Sequence, residues 1–240
     1  MKSSYYKYFA ALLLFGSNGI VASNINLPSY EIVLLRLLLG SLFLITVFTV
    51  SRQRFTFYRN KHTCLYLFIS ASAMGASWML LYEAYQQVGI SIASLAYYCG
   101  PVIVMILSPF LFRETLTWPK IAGFLTVLAG MCLVNLQALD EGKTIWGLFC
   151  GLMSAFMYAL MVTANKKAKP KSGLENSLLQ LVIGSFIVVA FVSMQKNFVL
   201  SLTTIDWIPV LLLGLLNTGI GCYLYFSSIT DLPVQTVAIC

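Results

Sequence analysis

Residues 31–50 read EIVLLRLLLGSLFLITVFTV, and after Glu31 they contain a single charged side chain, Arg36. A helix needs about 20 predominantly apolar residues to cross the hydrocarbon core of a bilayer. The stretch therefore predicts a transmembrane helix.

The same pattern recurs along the whole chain. Of the 240 residues, 59% are apolar and only 10% are charged, whereas about 25% are charged in an ordinary soluble domain; the mean hydropathy is +0.85. This composition predicts an all-α polytopic membrane protein and argues against a soluble enzyme or a disordered chain. Eight full spans and the start of a ninth near Val234 are expected; the eight cover residues 8–25, 31–51, 64–86, 91–112, 119–137, 145–165, 177–194 and 207–228.

The distribution of Lys and Arg predicts the orientation. With a cytoplasmic N-terminus, the cytoplasmic segments hold 12 of the 15 basic residues, and the outer loops hold Lys143 and Lys196. Such a bias follows the positive-inside rule and also accounts for the net charge of +7 without a nucleic-acid partner. For the cluster Lys166–Lys171, a basic patch at the membrane surface remains an alternative to a topology signal.

Residues for metal, ATP or enzyme chemistry are sparse. The six cysteines form no CxxC pair and lie mainly in apolar stretches, and His62 is the single histidine, so neither a metal site nor a cofactor is expected. Gly142-Lys143-Thr144 lacks the upstream glycine of a Walker motif. Asp206 and Asp231 lie in predicted loops. The chain is therefore not expected to be an enzyme.

A shift of 144 residues aligns the chain weakly with itself. Gly75 then falls on Gly219 and Leu80 on Leu224. Five spans precede the second copy, so it enters the membrane from the opposite side, as in the inverted repeats of many secondary transporters. The sequence predicts a five-helix unit over 1–138 and a second unit over 139–240. The second unit is expected to be incomplete relative to ten helices, because the first continues for 38 residues beyond the position matching Cys240.

One stretch resembles a known family. Gly100-Pro101-Val102 leads to Pro109-Phe110-Leu111-Phe112-Arg113-Glu114-Thr115-Leu116-Thr117, and the glycine-spaced segment with Gly123 and Gly130 follows. This resembles the EamA-type repeat of the drug/metabolite transporter superfamily, in which Glu114, Gly123 and Gly130 match structural positions.

The resemblance implies a ten-helix carrier in the inner membrane that moves small metabolites or drugs through a central cavity by alternating access. Amino-acid-like substrates, export, and coupling to protons or another ion are expected. The alternative is a non-transporting fragment or partner subunit, whose unmatched apolar faces would be covered by lipid, a second copy in a homodimer, or another subunit.

Ionisable residues inside the membrane are the first candidates for function. Arg36 and Glu83 are expected at a similar depth, where they would pair at the outer mouth of the cavity. The alternative is that Arg36 is a structural tie and Glu83 reaches the outer interface. Glu31 and Glu83 are the candidates for carrying a coupling proton.

Other polar and aromatic residues could line the same cavity. Pro101 is expected to kink its span and to free a carbonyl near Tyr97, with Tyr98 beside it. Each of the others could instead be a contact between helices or an anchor at the membrane interface. They are Asn18, Trp78, Tyr82, Tyr158 and Asn217.

Overall fold

The computed structural model describes residues 2–22, 24–25, 27–114, 117–119, 121–123, 125–126, 129, 145–194 and 207–239, and within these every regular element is helical. Most of the predicted fifth span, 119–137, lies outside the described residues. The helices are α1 (Lys2–Gly16), α2 (Asn18–Ala22), α3 (Ser29–Val50), a 3-10 turn (Phe57–Arg59), α4 (Lys61–Tyr97), α5 (Cys99–Phe112), α6 (Ile145–Ala168), α7 (Gly173–Ser193), α8 (Trp207–Ser228) and α9 (Val234–Ile239).

Helices long and apolar enough to cross a membrane dominate the described chain. There are five such stretches in the described residues, and the 52-residue stretch Lys61–Phe112 contains two of the predicted spans. The expected continuous span 8–25 is instead divided into α1 and α2 at Ser17. Large apolar side chains such as Leu13, Phe110 and Ile145 are 78–85% exposed, which fits a surface in contact with lipid.

Gly89 separates the two arms of α4. Its backbone has φ 78° and ψ 163°, a region that is essentially restricted to glycine. Val88 before it is buried and Ile90 after it is 70% exposed. The chain therefore changes direction at a glycine between the predicted third and fourth spans.

Helices α4 and α6 form the centre of the bundle. Ser77 Oγ donates to the carbonyl of Ser154 at 2.9 Å, and Ser154 Oγ donates to the carbonyl of Ser77 at 2.7 Å. Such reciprocal bonds need close backbones, and a Cβ on Gly151 would lie 2.8 Å from Cβ of Ala96. Small residues and paired hydroxyls thus hold the two helices together in the buried interior of the bundle.

One end of the bundle is tied by polar contacts between loops. We call it the basic end; it comprises residues 52–62, 166–172 and 229–235. Both carboxylate oxygens of Glu175, which is 2% exposed, accept hydrogen bonds there: Oε1 from the amides of Thr56 and Phe57, and Oε2 from the Thr56 hydroxyl at 2.6 Å. Lys166 Nζ donates to the carbonyls of Thr230, at 2.7 Å, and Leu232. These bonds satisfy backbone groups that the helices leave unpaired.

We expect Gly89→Ala to lower the thermal unfolding midpoint of the detergent-purified protein. A Cβ in this backbone conformation stores strain on the order of 1–3 kcal/mol. Gly16→Ala is the matched control, because a Cβ there meets nothing within 4 Å. Equal midpoints for the two variants would contradict a required glycine conformation at position 89.

Candidate functional site

Arg36 lies in the interior of the bundle. Its side chain is 6% exposed, its Nε donates to Oγ1 of Thr218 at 3.0 Å, and its Cζ lies 4.5 Å from the ring centroid of Trp78. We call Arg36, Trp78 and Thr218 the Arg36 cluster. No carboxylate among the described residues lies within ion-pair distance of the guanidinium. The cluster therefore presents a buried positive charge that an aromatic face and one hydroxyl stabilise only in part.

The approach of α3 to α8 creates this cluster. A Cβ on Gly40 would lie 2.9 Å from Cγ2 of Thr218, and one on Gly214 would lie 2.7 Å from Cβ of Leu39. Leu212–Ile220 is π-helical; such segments are rare and often mark functional sites. The two glycines and the wider turn together place Thr218 against Arg36.

The structure brings Asn18 and Asn217 together. Asn217 is 1% exposed, and its Nδ2 lies 2.8 Å from Oδ1 of Asn18, 3.0 Å from the carbonyl of Leu14 and 3.0 Å from Oγ of Ser17. These acceptors surround the break between α1 and α2. The two amides thus join that break to the π-helical segment, next to Thr218.

A second group of predicted residues forms an aromatic cluster. The rings of Tyr97 and Tyr158 meet edge to face with centroids 5.5 Å apart, and the hydroxyls of Tyr158 and Tyr225 are 3.4 Å apart. Gly100 permits this contact, because a Cβ there would lie 2.8 Å from Cδ1 of Tyr158. Sequence reasoning missed Tyr225, which sits in an apolar stretch without a distinguishing signal.

The expected ion pair between Arg36 and Glu83 is not formed in the structure. Glu83 Oε2 accepts a hydrogen bond from the Tyr30 hydroxyl, and Oε1 accepts one from Nε2 of Gln87 at 3.1 Å. Tyr30 precedes Arg36 by six residues, or about 9 Å along a helix. Glu83 therefore meets the beginning of α3, whereas Arg36 lies deeper.

Three other residues predicted to line the cavity, Tyr82, Tyr98 and Pro101, form no hydrogen bond or ring contact with the Arg36 cluster in the described structure. Tyr82 packs edge to face on Tyr85 at 5.3 Å, and Tyr98 is 39% exposed. Helix α4 ends at Tyr97 and α5 begins at Cys99. The interruption lies where Pro101, having no N–H, cannot bond to the carbonyl of Tyr97.

Glu114 joins two helices at the basic end. Its Oε1 accepts from the amide of Val234 at 2.8 Å, and its Oε2 accepts from the amide of Gln235 at 3.1 Å. A carboxylate at the first turn of α9 satisfies unpaired amides and complements the helix dipole. Gly123 lies in a short helical stretch, and Gly130 lies outside the described residues.

Glu31 is a buried acid close to the start of α3. It is 6% exposed, and its Oε2 has no hydrogen-bond partner. An unsatisfied buried polar atom needs a reason in a native structure. Glu31 therefore differs from Glu83, Glu114 and Glu175, whose carboxylates all accept hydrogen bonds.

Comparison with known proteins identifies relatives along the whole chain. The sequence model of the EamA-like transporter family matches residues 3–136 and 145–240. An uncharacterized transporter of Bacillus subtilis, YxxF, is 26% identical over 97% of this chain and 75% of its own length. A biotin transporter of Salmonella typhimurium is 22% identical over 75% of this chain and 61% of its own length. A protein of known crystal structure superposes with a TM-score of 0.80 at 17% identity, over 100% of this chain and 83% of its own, which shows a shared fold.

We expect Asn217→Ala to lower the unfolding midpoint markedly, because it removes a buried amide and leaves the half-buried acceptors at Ser17 and Asn18 without it; an unsatisfied polar group in the interior costs about 1–3 kcal/mol. Asn24→Ala is the matched control: Asn24 also bonds a carbonyl, that of Ile20 at 2.8 Å, but it is exposed. Thermal unfolding of both variants in the same detergent makes the comparison. A loss at position 217 no larger than at position 24 would contradict the role of this amide.

Proposed function

We propose, since the chain belongs to the EamA-like transporter family, that it is a secondary transporter that exports small metabolites or drugs across the cytoplasmic membrane by alternating access. The proposed class of substrate, small anionic solutes, rests on the buried guanidinium of Arg36, which has no carboxylate partner among the described residues. A charge held in this way is suited to an anionic group supplied by a substrate.

The geometry of the Arg36 cluster favours solutes that carry a carboxylate. Nε of Arg36 is used by Thr218 and one face of the guanidinium by Trp78. A carboxylate binds arginine through two parallel hydrogen bonds, and the aromatic ring of Trp78 favours an apolar or flat neighbour. Amino-acid-like solutes fit this chemistry, as does biotin, the compound named for several relatives.

Contacts related by the 144-residue shift support the inverted repeat of units 1–138 and 139–240. A Cβ on Gly40 would meet the side chain of Thr218, and a Cβ on Gly184 would meet Cε of Met74 at 2.8 Å. Adding 144 to 40 gives 184, and subtracting 144 from 218 gives 74. The same close approach therefore occurs twice, once in each direction between the two units.

A serine pair lies where such a repeat would place its symmetry axis. Ser41 and Ser185 are 144 residues apart, so each is the counterpart of the other, and their hydroxyls are 3.0 Å apart. The counterpart helices α3 and α7 thus meet at corresponding residues, as expected of a two-fold related pair.

Alternating access requires that the two ends of the helix bundle, one at each face of the membrane, close and open in turn. The basic end is fastened by Lys166, Glu114 and Glu175, and under the positive-inside rule it faces the cytoplasm, as does the N-terminus. We propose that these bonds close the cytoplasmic side, that their release opens it, and that Glu31, the unsatisfied buried acid, carries a coupling proton.

Arg36→Gln should abolish the preference for carboxylate substrates. The measurement is counterflow in proteoliposomes with labelled amino acids and biotin, each compared with its carboxamide analogue. Loss of a charged hydrogen-bond donor is worth about 1.5–3 kcal/mol, so the KM for the acid should rise about 10- to 100-fold. Carboxamides should be affected much less.

Two variants control this experiment. Arg54→Gln removes one exposed arginine from the 51–60 loop and should leave counterflow unchanged. Arg36→Lys keeps the charge but loses the bond to Thr218, and it should retain part of the acid preference. An unchanged ratio of acid to carboxamide in Arg36→Gln would refute the proposed substrate class.

Lys166→Met should open the basic end more often. In a protein whose single cysteine is Cys222, which is 2% exposed, maleimide labelling should accelerate on the order of tenfold, because a charge-assisted hydrogen bond contributes about 1.5 kcal/mol or more. Lys167→Met, which removes a neighbouring lysine outside this set of bonds, should label at the parental rate. Equal labelling rates in the two variants would contradict the proposal that Lys166 holds the basic end closed.

A further inference from the structure

A concave basic pocket opens at the basic end, between the 51–60 loop and the segment that joins α6 to α7. Its volume is about 310 Å³, and its lining includes Arg59, His62, Lys167, Lys169 and Lys171. Small-molecule sites begin at about this size. The pocket therefore combines a ligand-sized space with four permanently charged side chains.

The cations of this pocket have no acidic partner within the described chain. None of the four Lys and Arg residues takes part in an ion pair there. Glu175 also lines the pocket, but its carboxylate already accepts the amides of Thr56 and Phe57 and the Thr56 hydroxyl. The pocket thus keeps an excess of positive charge.

The two walls are held in place by specific contacts. Oγ of Ser172 donates to Oε1 of Gln53 at 3.0 Å. This bond joins the two loops that form the pocket, close to the hydrogen bonds between Glu175 and Thr56. Nζ of Lys167 lies 5.9 Å from the ring of Tyr66. Lys169 has a left-handed backbone with φ 48°, which turns the chain so that alternate lysines line one space. A topology signal needs charge alone, whereas here the loops that carry the charges are also joined to each other by hydrogen bonds.

We propose that the pocket binds a phosphate-bearing anionic group, and its position at the end of α4 and α6 favours the headgroup of an anionic lipid. Lys and Arg clusters beside transmembrane helices attract anionic headgroups. The exposed aromatic residues Phe55 and Tyr58, at 40% and 62% exposure, lie in the same loop, and aromatic side chains favour the headgroup level. This inference is independent of the transport function proposed above.

Native mass spectrometry in a neutral detergent tests the proposal. Short-chain phosphatidylglycerol is titrated against the purified protein, with phosphatidylcholine as the zwitterionic lipid and inorganic phosphate as the soluble anion. We expect one phosphatidylglycerol to bind and phosphatidylcholine not to bind. Competition by inorganic phosphate at similar concentration would assign a soluble phosphate group instead of a lipid. Binding of neither anion would overturn the proposal.

A pair of double variants locates the binding. Lys167→Gln with Lys171→Gln should weaken phosphatidylglycerol binding about 25-fold, since each basic residue contributes about fivefold. Arg54→Gln with Lys61→Gln removes the same charge from residues outside the pocket lining and should change the Kd by less than about threefold. Equal weakening in the two double variants would show diffuse attraction and would overturn the pocket. Unfolding midpoints of both variants report whether each is folded.

Discussion

The burial of one guanidinium is the constraint on which the middle of this bundle depends. A charged side chain inside a membrane protein is expensive unless it finds partners. Arg36 has a hydroxyl on α8 and an aromatic face on α4, so three helices must keep their relative positions for the charge to be tolerated. The close approach of α3 and α8 at Gly40 and Gly214 brings Thr218 within reach of the guanidinium. Packing and electrostatics are therefore linked at Arg36.

The π-helical segment connects this constraint to the amino-terminal helices. Asn217 and Thr218 are adjacent in sequence. The side chain of Asn217 donates a hydrogen bond to Ser17 at the break between α1 and α2, and that of Thr218 accepts one from Arg36. The widened turn also gives Thr218 an acceptor in its own helix, the carbonyl of Leu213 at 2.8 Å. A displacement of α1 would therefore reach the guanidinium through two neighbouring residues. So short a path between α1 and the guanidinium is consistent with the alternating-access mechanism proposed above.

Sequence patterns predicted the elements better than the contacts. Length and hydropathy identified a helical membrane protein and the spans that coincide with α3, α6, α7 and α8, because each span signals itself locally. The partner of Arg36 could not be predicted in this way. The expected common depth suggested Glu83, but Glu83 accepts a hydrogen bond from Tyr30 at the beginning of α3, about 9 Å along the helix from Arg36. Thr218 is a small polar residue in an apolar stretch, and only the fold shows its role.

The charged side chains that make contacts inside the described structure differ in how fully they are hydrogen-bonded. Glu114, Glu175 and Lys166 each satisfy two or more protein groups, and such saturated charges fix structure. Arg36 is buried with a single hydrogen bond and one aromatic contact. A protein that needed only a structural tie there could use a neutral donor at lower desolvation cost. An incompletely paired cation at this position therefore fits the proposal that an anionic substrate supplies the missing partner.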